Sequence, residues 1–311
     1  MSPVPAARFS QGVLLAAAAG AIWGFVFVVP EVLRAFSPIQ QSAGRYLLLG
    51  ALCTVLLLPR LGRVLRALSR RDWMVLVGLS LAGNIFYYIA LAEAVKGAGV
   101  AATSLIIGIL PATIALTGQR EASSVRRRGL IMPLALIGLG VVCINADVFA
   151  IGRSGLGGGM AGLVGIGAAF AGLLGWTAFA VWNGAHLKNN PQIVIRDWSL
   201  LTGMVTGLFA LVLAFPAFGP GAVPGSGPQN WPLFWGVSLA VAVGASIIGN
   251  SLWSQASRLL PMTLSGPLIV FETLFALTYG FIYAMRWPRP LEWAAMGLMI
   301  AGVALVARQH R

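Results

Sequence analysis

Trp73-Met-Val-Leu-Val-Gly-Leu-Ser-Leu-Ala-Gly-Asn84-Ile-Phe-Tyr87-Tyr88-Ile-Ala-Leu-Ala-Glu93-Ala94 is a 22-residue run with one charged side chain, placed next to its end. A helix that crosses the hydrocarbon core of a bilayer needs roughly 20 apolar residues, so this run is long enough to span. Nine further runs resemble it, and together they occupy about 12–30, 39–58, 98–117, 129–146, 160–184, 198–215, 232–256, 262–284 and 291–307. Pro38, Pro59, Pro191, Pro216, Pro261 and Pro290 stand at run edges, where a missing N–H does little harm. The stretch 216–232, with five prolines and no charge, reads as the clearest extramembrane loop, and 151–159, ending in Gly157-Gly158-Gly159, as the second.

The composition agrees. Of 311 residues, 58% are hydrophobic and 9% charged, against about 25% charged in an ordinary soluble domain. Disorder, a nucleic-acid-binding domain and a disulfide scaffold are excluded. Ten spans leave no stretch for a separate soluble domain. The net charge of +13 comes from Lys and Arg lying between apolar runs, as expected of topology signals and contact with anionic headgroups. Cys53 and Cys143 fall inside apolar runs and read as helix-packing residues. The first run follows Arg8 as a signal peptide would, but it continues through Trp23 to Val29 and reads as a true span. With the N-terminus inside, the inner segments hold 15 Lys and Arg and the outer ones 5, which places both termini in the cytoplasm.

The two halves share short motifs in the same order. Gly83-Asn84 answers Gly249-Asn250; Ala115-Leu116-Thr117 answers Ala276-Leu277-Thr278; Gly140-Val141 answers Gly302-Val303; Ala19-Gly20-Ala21-Ile22-Trp23 answers Ala171-Gly172-Leu173-Leu174-Gly175-Trp176. The expectation is an all-α membrane domain of ten transmembrane helices in two five-helix repeats, residues 1–150 and 151–311. An odd number of spans per repeat inverts the second copy, a layout found in many secondary transporters with a site between the halves.

These features resemble the drug/metabolite transporter superfamily (EamA-like): five-plus-five short spans, Ala-Gly-Ala-Ile-Trp-Gly at 19–24, and Pro111 followed by Gln119-Arg120-Glu121. Within it the chain looks most like the YddG-type branch of aromatic amino-acid exporters. The resemblance implies a ten-helix basket around a central cavity, with spans five and ten peripheral, and it alone implies export. One departure is that span nine ends Tyr283-Ala284-Met285-Arg286, where many relatives carry Gly-Glu.

Ionisable groups inside spans are functional candidates because they are expensive there. Glu272, about ten residues into span nine, is either a counter-charge for a substrate ammonium, a proton acceptor or a structural carboxyl. Arg45 in span two is expected to snorkel or to form a structural pair. Asn84, Tyr87 and Tyr88 are spaced to share roughly one face, as are Asn250, Trp253 and Ser254. Trp23 and Trp176 lie deep in spans one and six, and Phe179 and Asn183 follow Trp176 near the same face. Individually these residues suit helix packing. As a set they suit a cavity for a ligand with an apolar body and a polar head, as in an amino acid. The expected substrate-binding residues are therefore Trp23, Asn84, Tyr87, Tyr88, Trp176, Asn250, Trp253 and Glu272, with Pro111 and Pro267 as hinges.

An enzyme is not expected. With only His186 and His310 there is no His-Glu-x-x-His, and Lys96 and Lys188 make no Gly-Lys-Ser/Thr loop. No metal or cofactor is expected. The implied partners are a small-molecule substrate and the lipid bilayer of a bacterial inner membrane, with no nucleic acid. A transporter of another metabolite or drug class, or a passive channel, is the alternative that these residues leave open.

Overall fold

The computed structural model describes residues 6–117, 159–259 and 268–308, together with Met132, Ala135, Leu136, Leu139, Gly140 and Cys143. Helices follow one another as α1 (Ala6–Phe25), α2 (Val29–Val32), α3 (Pro38–Leu57), α4 (Leu61–Arg66), α5 (Arg70–Leu79), a π-helical segment π1 (Ser80–Phe86), α6 (Tyr87–Ile107) and α7 (Leu110–Thr117). After residue 159 come α8 (Met160–Asn189), α9 (Ile195–Phe218), α10 (Trp231–Val243), a second π-helical segment π2 (Gly244–Gly249), α11 (Asn250–Leu259), α12 (Val270–Tyr283) and α13 (Pro290–Arg308). No strand occurs among the described residues.

Six helical stretches among the described residues are long and apolar enough to cross a bilayer: Ser10–Val32, Pro38–Arg66, Arg70–Ile107, Met160–Asn189, Ile195–Phe218 and Trp231–Ala256. The third passes through Gly99, whose φ of 84° and ψ of 167° interrupt the helix between the runs read as spans three and four. That positive φ is open to glycine and strained for other residues. Most of span five, the 151–158 stretch and Pro261 lie outside the described residues. Pro38 opens α3 behind a capping box in which Ser37 and Gln40 satisfy each other's backbone N–H groups. Pro216 differs from its expected place at a helix edge: α9 runs on to Phe218, and Gly219 N–H closes the last turn on Phe215 O at 2.8 Å.

The chain forms two compact units. Unit 1 comprises Met1–Glu31, Glu93–Phe170 and Gly244–Arg311; unit 2 comprises Val32–Ala92 and Ala171–Val243. In unit 2, α3 lies along α9 at very close range. A Cβ built on Gly50 would sit 2.4 Å from Gly207 Cα, and one on Gly207 2.5 Å from Gly50 Cα. Small residues at such crossings let helix backbones approach where the lipid supplies no hydrophobic drive. Below this crossing Leu57, Val75, Leu76, Leu79, Trp198, Leu201 and Val205 form a buried cluster. The 216–232 loop is tied back to the turn before α3, with Gly225 N–H on Ala35 O at 3.0 Å and Ser226 N–H on Arg34 O at 2.8 Å.

Unit 1 is organised around α1, which packs on π2, α11 and α12. Gly20 and Gly24 make the α12 contact possible, since a Cβ on either would lie under 3.0 Å from the Phe271–Ala276 segment.

Gly207→Val should cost about 1–3 kcal/mol of stability through overpacking. Gly167→Val, where nothing lies within 4 Å of the added Cβ, should cost far less. Thermal unfolding of the two purified variants beside the parent checks the contrast.

Candidate functional site

The two π-helical segments interrupt spans three and eight immediately before the helices that carry the polar candidates. In a π turn the N–H bonds back five residues rather than four, which shifts the phase of the next helix and disturbs the carbonyl ladder. Inside a bilayer a disturbed backbone group needs a protein partner. In unit 1, Trp23 of α1 provides one by donating its Nε1–H to Ala245 O of π2 at 3.0 Å. Its ring also closes over Gly249, where a Cβ would fall 2.6 Å from Nε1, and it meets Trp253 of α11 at 5.5 Å between centroids. In unit 2, Phe179 of α8 covers Gly83 of π1, with a built Cβ 2.2 Å from its ring. Asn84 of π1 donates to Thr206 Oγ1 of α9 at 2.9 Å, and Ser80 to Thr202 O at 3.2 Å.

The expected site residues therefore fall in two groups. Trp23, Asn250, Trp253 and Glu272 belong to unit 1; Asn84, Tyr87, Tyr88 and Trp176 belong to unit 2. Asn250 donates to Ser246 O at 2.9 Å within its own helical run and is exposed. Glu272 lies in the first turn of α12, its backbone against Gly20 and Gly24. Its carboxyl makes no hydrogen bond or ion pair among the described residues, and the side chain is half-buried. Trp253 and Trp23 are the expected site residues of this unit brought into ring contact.

In unit 2 the expectation that Asn84, Tyr87 and Tyr88 share one face does not hold. Asn84 reaches Thr206 on α9, Tyr87 meets Trp176 on α8 at 6.3 Å, and Tyr88 meets Tyr46 on α3 at 5.9 Å. The spacing of three and four residues assumes an α-helix throughout, whereas Asn84 lies in a π segment. Tyr88 is fully buried and stacks under Arg45, whose guanidinium carbon is 4.5 Å from the Tyr88 centroid and 5.1 Å from that of Tyr46. Arg45 is thus buried between tyrosines instead of snorkelling, held there by cation–π attraction. Trp176 continues into Phe179 at 5.5 Å. Asn183 accepts the indole N–H of Trp198 at 2.8 Å, a packing role.

Pro111 opens α7 just after a break at Gly108-Ile109, and Pro267 lies outside the described residues. Among the described residues no group of three or more His, Cys, Asp or Glu could hold a metal ion. A buried Asp–His hydrogen bond has no counterpart among the sequence expectations. Asp72 Oδ1 is 2.8 Å from His186 Nε2, His186 stacks on Trp198 at 4.9 Å, and Asp72 Oδ2 accepts from Ser69 N and Oγ. Asp72 and His186 stand 114 positions apart, so no local pattern announces the pair.

Residues 10–146 match the model of the EamA-like transporter family. Over 309 residues the chain is 34% identical to the inner membrane protein YtfF of Escherichia coli (strain K12), covering 96% of this chain and 95% of that protein. A protein of known crystal structure shares the fold, with a TM-score of 0.64, covering 97% of this chain and 99% of that one, at 18% identity.

Trp23→Phe keeps the ring and removes the bond to Ala245 O. A single hydrogen bond is worth about 1 kcal/mol, so amide exchange across 245–250 should accelerate about fivefold. Unchanged exchange there would show that Trp23 does not hold π2.

Proposed function

Because the chain belongs to the EamA-like transporter family and is a multi-pass protein of the bacterial inner membrane, we propose that it is a secondary transporter of small metabolites. Its substrates are amino acids, aromatic ones among them, exported by alternating access around a central cavity between two inverted five-helix repeats. Both termini are cytoplasmic, in keeping with the Lys and Arg asymmetry of the loops.

One observation carries the reading. Helix α1 of the first half packs on π2 of the second, and α8 of the second half packs on π1 of the first. Each π segment holds the glycine of a Gly-Asn pair (Gly83-Asn84 within π1; Gly249-Asn250, with Asn250 opening α11), and each packing helix carries the related Ala-Gly and Trp motif (Trp23, Trp176). Reciprocal packing of this kind is what an inverted duplication produces, and it supports a common origin for the two irregular helices. A change at either π segment alters the orientation of the helix after it. In unit 1 that helix presents Asn250 and Trp253; in unit 2 it carries the buried Tyr87 and Tyr88.

The chemistry suits an amino acid. Trp23, Trp253 and Trp176 offer aromatic surface, with Tyr87 packed on Trp176 and Tyr88 buried under Arg45; Asn84 and Asn250 offer amides, and Glu272 offers a carboxyl with no protein partner among the described residues. Such a carboxyl at membrane depth favours meeting a cation from outside the protein, either a substrate ammonium or a proton. Pro111 and Pro267, in repeat-related spans four and nine, serve as bending points.

Labelled phenylalanine entering proteoliposomes should show saturable uptake that internal unlabelled phenylalanine accelerates. Uptake no greater than in protein-free vesicles withdraws the substrate. Glu272→Gln should lower that uptake by about tenfold or more and remove its response to a pH gradient. An unchanged response would end the role assigned to Glu272.

A further inference from the structure

Unit 2 contains two acids, Asp72 and Asp197, and both are buried and engaged. Asp72 is held by Ser69 and His186, and Asp197 lies 3.1 Å from Arg60. The connection between α3 and α5 and the first turn of α5 carry four more arginines, Arg63, Arg66, Arg70 and Arg71, all exposed. None of the four makes a hydrogen bond or ion pair among the described residues. This end of unit 2 therefore presents a cluster of positive charge that no acid of the same unit offsets.

Helix stability does not explain the cluster. Arg70 and Arg71 occupy the first turn of α5, where positive charge opposes the helix macrodipole. Arg63 and Arg66 are one turn apart on α4, so they share a face. The opposite side of that short helix is apolar: Leu61, Val64 and Leu65, with Leu68 beyond it, pack on the buried cluster of Leu57, Leu76 and Trp198.

The neighbours of the arginines decide what the surface meets. Leu58 is 63% exposed, Val55 67% and Met74 58%. Met74 lies four residues after Arg70 and three after Arg71, on the same helical face. A soluble anion or a nucleic acid has no use for bare aliphatic side chains such as Met74, within a turn of Arg70 and Arg71, or Val55 and Leu58 on the segment that leads into α4. A molecule with a phosphate head and hydrocarbon tails matches both.

We infer that the α3–α5 connection is a docking surface for anionic phospholipid, with the phosphate on Arg63, Arg66, Arg70 and Arg71 and the acyl chains along Val55, Leu58 and Met74. The arginine asymmetry of the loops assigns this end to the cytoplasmic leaflet. The guanidinium groups at these four positions suit bidentate contact with phosphate. The proposal is independent of what the protein carries.

The test is lipid retention by the full-length protein. The purified protein is offered equal amounts of phosphatidylglycerol and phosphatidylcholine with identical chains, and the retained lipid is counted by native mass spectrometry. Phosphatidylglycerol should be enriched about fivefold or more, and high salt should erode the preference. Equal retention of the two lipids overturns the proposal. In Arg63→Gln/Arg66→Gln/Arg70→Gln/Arg71→Gln the enrichment should vanish, and an enrichment equal to that of the parent also overturns it. Removing four positive charges can disturb insertion, so Arg70→Gln/Arg71→Gln, which keeps Arg63 and Arg66, is the second variant. Its enrichment should fall at least about twofold, and a value matching the parent counts against the surface in the same way.

Discussion

Every backbone N–H and C=O inside a bilayer must find its partner within the protein. A perfectly regular helix meets that requirement by itself, whereas an irregular one makes side chains responsible for it. This chain places irregularity in spans three and eight and braces it with named side chains: Trp23 donates to the π2 carbonyl of Ala245, while Ser80 and Asn84 of π1 donate to Thr202 O and Thr206 Oγ1 of α9. The residues that hold the π segments therefore come from helices distant in sequence. Satisfying a π2 carbonyl ties α1 to π2, and side-chain hydrogen bonds tie π1 to α9.

Close approach depends on the same economy of atoms. Gly20, Gly24, Gly50, Gly83, Gly207 and Gly249 stand where a methyl group would collide with a neighbouring helix or ring. With lipid on the outside, packing of this kind replaces the hydrophobic drive that organises a soluble core. The charged groups obey a second rule. Asp72, Asp197 and Glu292 are buried and paired, with Arg286 bridging Glu292 at 2.6 Å. Glu272 differs from them in having no partner among the described residues.

Much of the fold is legible in the sequence, for simple reasons. Span ends appear wherever an apolar run meets proline or polar residues, and Pro38 and Pro290 begin helices close to where the runs indicate. Gly99 is harder to read, because one glycine among many does not announce a positive φ. The π segments are illegible to pattern reasoning, since hydropathy is blind to a one-residue change of phase. That blindness is why Asn84, Tyr87 and Tyr88 look like one face and reach three helices. The length of Arg45 permits snorkelling, but two tyrosines from different helices hold it inside. The Asp72–His186 pair needs three dimensions, because its partners come from different helices. At the candidate site, residue types are legible and groupings are not: sequence offers eight side chains, and the fold sorts them by unit.

If the protein is a carrier, the residue beside π2 must be reached from each side of the membrane in turn. The direct measurement uses a cysteine-free background with Asn250→Cys, in oriented vesicles, and a membrane-impermeant thiol reagent added from one side or the other. The account predicts labelling from both sides, with phenylalanine slowing the reaction from each. Labelling from one side only, or labelling that phenylalanine leaves untouched on both, would contradict alternating access at this position.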